Sequence, residues 1–351
     1  MLPAPMDPAN PQLHQHLCQT LGVPAIASIQ PIQSLWSGFG QIARVRRADA
    51  NDSGGDSGGA SGGNSGGNSG GDSGGVIIKH VKLPEQINHP RGWDTDRSAQ
   101  RKIRSYEVET NWYAHFADRC PPSCRVPRHL GHAQWGDERL LILEDIDAAG
   151  FDQRLTDVTP KQLDACIRWL ANFHATFLGQ EHEGLWDKGT YWHLQTRPDE
   201  FEALDDGPLK RAAHAIDAAL DASPFTTLVH GDAKPANFCL AQDGRVAAVD
   251  FQYVGPGCGM KDLAYLVGAS LDPAACFAAE AHILDTYFTT LSAALSRQGS
   301  PIDRSHLEAD WRRLYPHAWA DFERFLQGWS PGHWKISPYT QHMTQQALDN
   351  L

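Results

Sequence analysis

The chain has no run of about 18 apolar residues, so no segment reads as a bilayer span. Clustered basic residues are also missing. Thirty Lys and Arg stand against 42 Asp and Glu, a formal net charge of −12, which argues against nucleic acid as a partner because phosphate contacts need grouped cations. The N-terminal stretch MLPAPMDPANPQLHQHL lacks the basic-then-apolar order of a secretory leader, and a cytoplasmic location is expected. Paired cysteines are scarce. Of seven, only Cys120 and Cys124 in CPPSC are close neighbours, without a second pair or histidines at zinc spacing, and neither a metal site nor a disulfide is expected there. What is present is ordinary globular material: 351 residues, 41% hydrophobic and 21% charged, long enough for two domains or lobes of about 100–200 residues.

The stretch DSGGDSGGASGGNSGGNSGGDSGG, residues 52 to 75, has no apolar residue except Ala60 and cannot bury anything. Residues 51–75 should therefore be a disordered Gly/Ser-rich insertion. Before it, IQSLWSGFGQIARVRRA reads as a hairpin: a strand to Leu35 and Trp36, a small-residue turn at Ser37 to Gly40, and a strand through Ile42 and Val45. After it, the β-branched run VIIKHVKL reads as another strand, with Lys79 in its middle. The insertion would then join two strands of one lobe.

Residues 96 to 118 show helical spacing of Ile103, Tyr106, Tyr113 and Phe116. On a helical wheel Glu109 falls near that apolar face and Glu107 far from it, so Glu109 should point inward. RLLILEDI, 139 to 146, is a buried strand ending in Glu144 and Asp145. KQLDACIRWLANFHATFLG, 161 to 179, is an amphipathic helix with a stripe of Leu163, Cys166, Ile167, Leu170, Phe173 and Phe177. Beyond Gly179 the pattern is less regular until a strand-rich block at 226 to 252, and from 261 onward it is mostly helical. Strands with one helix followed mainly by helices indicate an α+β fold in two lobes.

The chemistry concentrates in LVHGDAKPANFCL, 228 to 240, followed by RVAAVDFQ, 245 to 252. A short strand delivers Asp232, a loop places Asn237 five residues on, and a second strand delivers Asp250. Two carboxylates and an amide are the hard oxygen ligands and positioned base that magnesium-nucleotide phosphoryl transfer needs. Singly, each would be an ordinary turn residue; together they point to chemistry.

HGDAKPANF resembles the catalytic loop of the protein-kinase-like fold, in the form found in aminoglycoside phosphotransferases, choline and ethanolamine kinases and ecdysteroid-kinase-like proteins. The 18-residue step from Asp232 to Asp250 agrees with that family. GCGMKDLAYLV, 257 to 267, is similar to the segment that braces the loop there, with Asp262 as the brace. The resemblance implies an N-terminal nucleotide-binding lobe over 1–145, an antiparallel sheet plus one helix, and a mainly helical catalytic and substrate-binding lobe over 146–351. It implies ATP and Mg²⁺ as cofactors and phosphorylation of a hydroxyl on a small-molecule alcohol. DFQ at 250 to 252, HGD and the ETNWY context of Glu109 fit the ecdysteroid-kinase-like or choline-kinase-related branch, with an aminoglycoside or a sterol-like or acyl-CoA-linked alcohol as other acceptors.

Roles follow from the same resemblance. Asp232 would act as catalytic base, Lys234 would neutralise charge on the transferred phosphoryl group, and Asn237 and Asp250 would bind Mg²⁺. Ser37, Gly38, Phe39 and Gly40 resemble the short loop over the ATP phosphates, where small residues let backbone N–H groups approach. A lysine in an apolar strand is costly to bury unless paired, and the fold uses one at the position of Lys79 to hold phosphates, with Glu109 as its partner. Glu144 to Ile146 would supply backbone contacts to adenine. His230 and His174 read as packed, structural histidines. Around Trp311, Trp319, Trp329 and Trp334, aromatic walls with carboxylates would suit amphipathic or cationic acceptors. The rival to an enzyme is a pseudokinase, binding a nucleotide or partner without turnover. A protein kinase is disfavoured, because only a dozen residues separate Asp250 from Asp262, too few for a peptide-docking loop.

Overall fold

The computed structural model describes residues 10–35, 38–48, 75–82 and 96–351. Ser37 and nearly all of the Gly/Ser-rich stretch lie outside the described residues. The chain forms two compact units: one runs to Ala99 and includes Arg128–Ala149, and the other comprises Gln100–Pro127 and Gly150–Leu351.

In the first unit, helix α1 (Pro11–Leu21) starts at Asn10, whose side chain accepts hydrogen bonds from the amides of Gln12 and Leu13 at 3.0 and 3.3 Å. Pro11 sits in the first turn and Gly22, at φ +64°, ends the helix, the usual proline-in, glycine-out arrangement. Five strands follow: β1 (Ile26–Ser34), β2 (Gly40–Arg47), β3 (Val76–Lys82), β4 (His129–Trp135) and β5 (Glu138–Glu144). They form one antiparallel sheet in the order β1-β2-β3-β5-β4. Alternate residues of the three inner strands, Ala43, Val45, Val76, Ile78, Leu140 and Ile142, meet Leu13 and Leu17 of α1 in a closed cluster. Period-two alternation on the strands and an i, i+4 pair on the helix make that layer. Each large aliphatic side chain in it contributes about 1.5–3 kcal/mol.

The expected hairpin is present. The amide of Leu35 donates to the carbonyl of Gly40 at 2.8 Å, closing the turn between β1 and β2. Strands β2 and β3, which flank the Gly/Ser-rich stretch, are direct antiparallel neighbours from Val45↔Val76 to Gly40↔Val81. The stretch therefore joins adjacent strands of one sheet. Loop-closure entropy changes only logarithmically with length, so deleting residues 53–74 should leave the melting temperature unchanged or raise stability by about 1 kcal/mol. A cooperative melt of the deletion variant measures this, and a loss of stability would show that the stretch does more than connect.

The second unit takes in most of α2 (Asp96–His115), then β6 (Gln153–Arg154), α3 (Pro160–Phe177), α4 (Pro198–Glu202) and α5 (Pro208–Asp221). Short strands β7 (Thr227–Val229), β8 (Phe238–Leu240), β9 (Val246–Ala248) and β10 (Gly255–Gly257) carry the central loop, and helices α6 (Met260–Ser270), α7 (Pro273–Arg297), α8 (Arg304–Trp329) and α9 (Pro338–Asp349) complete the unit. All six expected stripe residues of α3 are buried, and Thr159 and Gln162 close a reciprocal capping box at its start. Helix α2 ends at His115, three residues short of the expected limit, and Glu109 is 3% exposed. Helix α5 falls in a stretch expected to be irregular. Its stripe of Leu209, Ala213, Ile216 and Leu220 is buried, but it is thin in large apolar side chains and flanked by charge. Trp311 and Trp319 are core residues, whereas Trp334 is exposed.

A sheet-based unit and a mainly helical one give the expected α+β class. All seven cysteines are free thiols, Cys120 and Cys124 included. Among the described residues no helix is long and apolar enough to cross a membrane.

Candidate active site

The β1–β2 turn needs its glycines. Gly38 and Gly40 have φ +78° and +137°, and a Cβ on Gly40 would meet the carbonyl oxygen of His80 at 2.0 Å, so only glycine serves there. Phe39 between them is buried. Lys79 lies mid-strand in β3, 7% exposed, between Ile42 and Leu141 across the sheet. At the end of β5 the Glu144 amide donates to the carbonyl of Arg128 at 3.0 Å, and its carboxylate accepts from the Arg128 amide at 3.0 Å. Asp145 is held by Arg44 at 2.5 Å, which also reaches Asp147 at 2.8 Å, and Ile146 is buried. The expected nucleotide-side residues of this unit thus sit on one sheet and its connections.

In the second unit the loop between β7 and β8 is held at several points. Asp262, fully buried near the start of α6, accepts from the amides of His230 at 2.5 Å and Gly231 at 2.9 Å. Its carboxylate also meets His174 Nε2 at 3.1 Å, while His174 Nδ1 meets the Tyr287 hydroxyl at 2.7 Å. Donation from Nε2 to Asp262 and acceptance at Nδ1 from Tyr287 satisfy both partners. His230 accepts the Asp232 amide at Nδ1 and donates from Nε2 to the carbonyl of Val249 at 3.0 Å. Both histidines are structural, and Asp262 is the expected brace. Gly231 has φ +78°, and a Cβ there would meet the Tyr253 carbonyl oxygen at 2.1 Å. The glycine of HGD is thus a geometric requirement.

These restraints present Asp232. Lys234 Nζ donates to Asp232 Oδ2 at 2.7 Å, and Asn237 Nδ2 donates to the same oxygen at 3.1 Å and to the Asp232 carbonyl at 2.8 Å. Burial acts against the Lys234 ammonium, but Asp232 and Asp250 outweigh it and raise its pKa above the ordinary lysine value. Asp250 directly follows Val249, whose amide donates to the Asn237 carbonyl at 3.0 Å. The residues read from the sequence as base, cation and metal ligands are therefore gathered at one place.

Asp250 itself has φ +70°, one of two non-glycine residues with positive φ among the described ones. Such a backbone costs of order 1–3 kcal/mol and persists only where the surroundings over-determine it. Here they do. Gln252 Nε2 donates to Asp250 Oδ1 at 2.5 Å, and Gln252 Oε1 accepts from Lys102 at 2.5 Å and Ser105 at 3.2 Å. Between them Phe251 is buried and stacks on Trp112 of α2, 4.5 Å between ring centroids. The glutamine of DFQ thus orients the carboxylate two residues before it.

A family model described as a phosphotransferase enzyme family matches residues 95–327, about two thirds of the chain. The chain belongs to that family. No curated protein matches it in sequence. Among solved structures, this phosphotransferase is similar to macrolide 2'-phosphotransferase MphH from Brachybacterium faecium, at 13% identity and TM-score 0.46, over 96% of this chain and 95% of that one. It is also similar to choline kinase LicA from Streptococcus pneumoniae, at 13% identity and TM-score 0.41 over 96% and 99%. A third is a thermostable mutant of aminoglycoside phosphotransferase APH(4)-Ia, at 11% identity and TM-score 0.44 over 96% and 98%.

The phosphotransferase has further residues around Asp232 that no local pattern announced. Thr190, the other positive-φ residue, donates its amide to the Tyr253 carbonyl at 3.1 Å, and the Tyr191 amide donates to the Gly231 carbonyl at 3.2 Å. Tyr191 and Tyr265 meet through their hydroxyls at 3.3 Å. Burial, reinforced by the field of Asp232, pushes both phenols above their ordinary pKa and keeps them neutral. The ammonium of Lys335 lies 4.5 Å from the Tyr265 ring centroid. Farther along α8, Asp321 is fully buried against Lys261 at 3.2 Å and Arg324 at 2.8 Å. His333 stacks beside Trp334 and caps the amide of Lys335 through Nδ1 at 3.2 Å.

Proposed function

We propose that the chain transfers the terminal phosphoryl group of ATP, with Mg²⁺, to a hydroxyl of a small-molecule alcohol. The observation that carries this is the convergence of an ammonium and an amide on Asp232 Oδ2, beside the strained and hydrogen-bonded Asp250. With Oδ2 committed, Oδ1 is the carboxylate oxygen that receives the acceptor hydroxyl. The acceptor oxygen forms a bond to the terminal phosphorus as the bond from that phosphorus to the bridging oxygen breaks, and the hydroxyl proton passes to Asp232. ADP and a phosphate monoester result.

The donor set fits the metal. The amide of Asn237 is fixed through its Nδ2, so its oxygen and the Asp250 carboxylate are the hard ligands that Mg²⁺ prefers. When bound, MgATP supplies the phosphoryl group and neutralises charge on it. Lys234, kept as an ammonium by the two carboxylates, adds a cation where negative charge gathers in the transition state. Residues 1–145 serve as the nucleotide-binding lobe in this reading, with Ser37, Gly38, Phe39 and Gly40 as the phosphate loop, Lys79 as the phosphate-holding cation, Glu109 as its counter-charge, and Glu144 to Ile146 toward the base. Residues 146–351 serve as the catalytic lobe.

The test is turnover with MgATP and a panel of alcohols, followed as ADP release and as phosphate gained by the alcohol. A melting temperature raised by MgATP without phosphate gain on any alcohol would favour a pseudokinase. Because Gln252 orients Asp250, Gln252→Ala is expected to raise the Mg²⁺ concentration for half-maximal activity about 10–100-fold, as removing an outer-shell partner of a ligand does. An unchanged Mg²⁺ titration would remove Gln252 from the site.

A further inference from the structure

Lys335 lies between α8 and α9, far in sequence from the catalytic loop, yet its side chain is drawn back toward it. Its ammonium is 4.5 Å from the ring centroid of Tyr265, 5.5 Å from that of Phe322 and 5.5 Å from that of Trp334. Three rings around one cation form an aromatic box, the arrangement that recognises organic ammonium groups through the negative faces of the rings. The backbone beneath is fixed: the Thr340 hydroxyl donates to the Lys335 carbonyl at 2.8 Å, and the Lys335 amide donates to His333 Nδ1 at 3.2 Å. Among the described residues the ammonium makes no ion pair. Asp232 and Lys234 act on it with opposite signs at longer range, and burial, the largest influence, lowers its pKa to about 8. Tyr265 and Phe322 are buried, whereas Trp334, the third wall, is 66% exposed and Lys335 itself is partly exposed, so the box opens to solvent on the Trp334 side.

Two consequences follow from a cation placed there. The box that would seat a cationic head group is already filled by the chain itself, and an incoming cation would meet both Lys335 and Lys234. A half-buried ammonium without an ion-pair partner, seated on Tyr265 and within the electrostatic reach of Asp232, is in turn a receptor for an anionic group on the same small molecule. This counts against the cationic half of the expectation of amphipathic or cationic acceptors drawn from the tryptophan-rich C-terminal stretch. The aromatic walls are real, but their cation is internal.

We infer that Lys335 is the specificity-determining residue of the acceptor site, selecting an alcohol that bears an anionic group and excluding organic cations by occupying the box of Tyr265, Phe322 and Trp334. The inference rests on the proposed phosphotransfer reading for its hydroxyl, but its test does not. Malonate and tetramethylammonium are titrated separately into the full chain, Lys335→Met, Lys335→Ala and Lys335→Arg, with tryptophan fluorescence as readout because Trp334 is an exposed wall. Malonate should bind the wild type, at least about tenfold more weakly the Met variant, and again the Arg variant, which restores the charge. Tetramethylammonium should bind the Ala variant at least about tenfold more tightly than the wild type, because the emptied box accepts it. Equal binding of either probe to wild type and variants, or tighter binding of tetramethylammonium than malonate to the wild type, overturns the inference. A parallel melt of the wild type with MgATP separates the two readings. Without a shift the nucleotide reading fails while the probes still decide Lys335; with a shift and indifferent probes, the Lys335 inference alone falls.

Discussion

Asp262→Ala is expected to destabilise the helical unit by about 2–6 kcal/mol, the cost of leaving two buried backbone donors without their acceptor. The carboxylate is fully buried and accepts from two consecutive backbone amides, His230 and Gly231, as well as facing His174. Alanine leaves those two donors buried without an acceptor, and each such group costs about 1–3 kcal/mol. Urea denaturation of the variant measures the loss. Hydrogen exchange at the two amides distinguishes a local effect from a general one, because they should lose protection even where α6 keeps it. A loss below about 1 kcal/mol would mean that the loop holds its shape without the brace.

Asp232→Asn is the second large effect, this time on rate. If Asp232 receives the acceptor proton, the substitution should lower kcat by about 10²–10⁴-fold while changing the KM for MgATP by no more than about threefold, the signature of an interaction made in the transition state. The same variant removes the largest influence that raises the Lys234 pKa. A group whose folded pKa is raised contributes stability that is fully present below its unfolded value and lost as pH rises through the folded one. The wild type should therefore lose this contribution only above the ordinary lysine range, and in the variant, where Asp250 alone remains to raise it, that alkaline step should be smaller. Full turnover in Asp232→Asn would end the base assignment.

The parts of the site that were legible in the sequence are those the backbone itself keeps close. Asp232, Asn237, Asp250 and Asp262 fall within 31 positions, delivered by short strands and one helix start, so residue type, spacing and the family resemblance together point to them. Glu109 was placed inward by the helical period, and the turn before β2 by its glycines. Tyr191, Tyr265 and Lys335 were not legible in this way. Tertiary packing of separate segments brings them beside Asp232, and an isolated tyrosine or lysine carries no periodic signal. Helix α5 is hard to read because its buried stripe includes the small Ala213 and its other faces carry further alanines, Ala212, Ala215, Ala218 and Ala219, which weakens the apolar contrast that pattern reading relies on. The left-handed backbone of Asp250 was hidden because aspartate, unlike glycine, does not advertise such a conformation.

That left-handed aspartate also bears on when order is imposed. A carboxylate on an ordinary loop would have to be immobilised each time a ligand arrived, and the entropy lost would weaken binding at every encounter. Asp250 is fixed beforehand by its own dihedral, by Gln252 and by the stacking of Phe251 on Trp112. The cost of ordering it falls once, on folding, so the carboxylate of Asp250 is already in place before any ligand arrives.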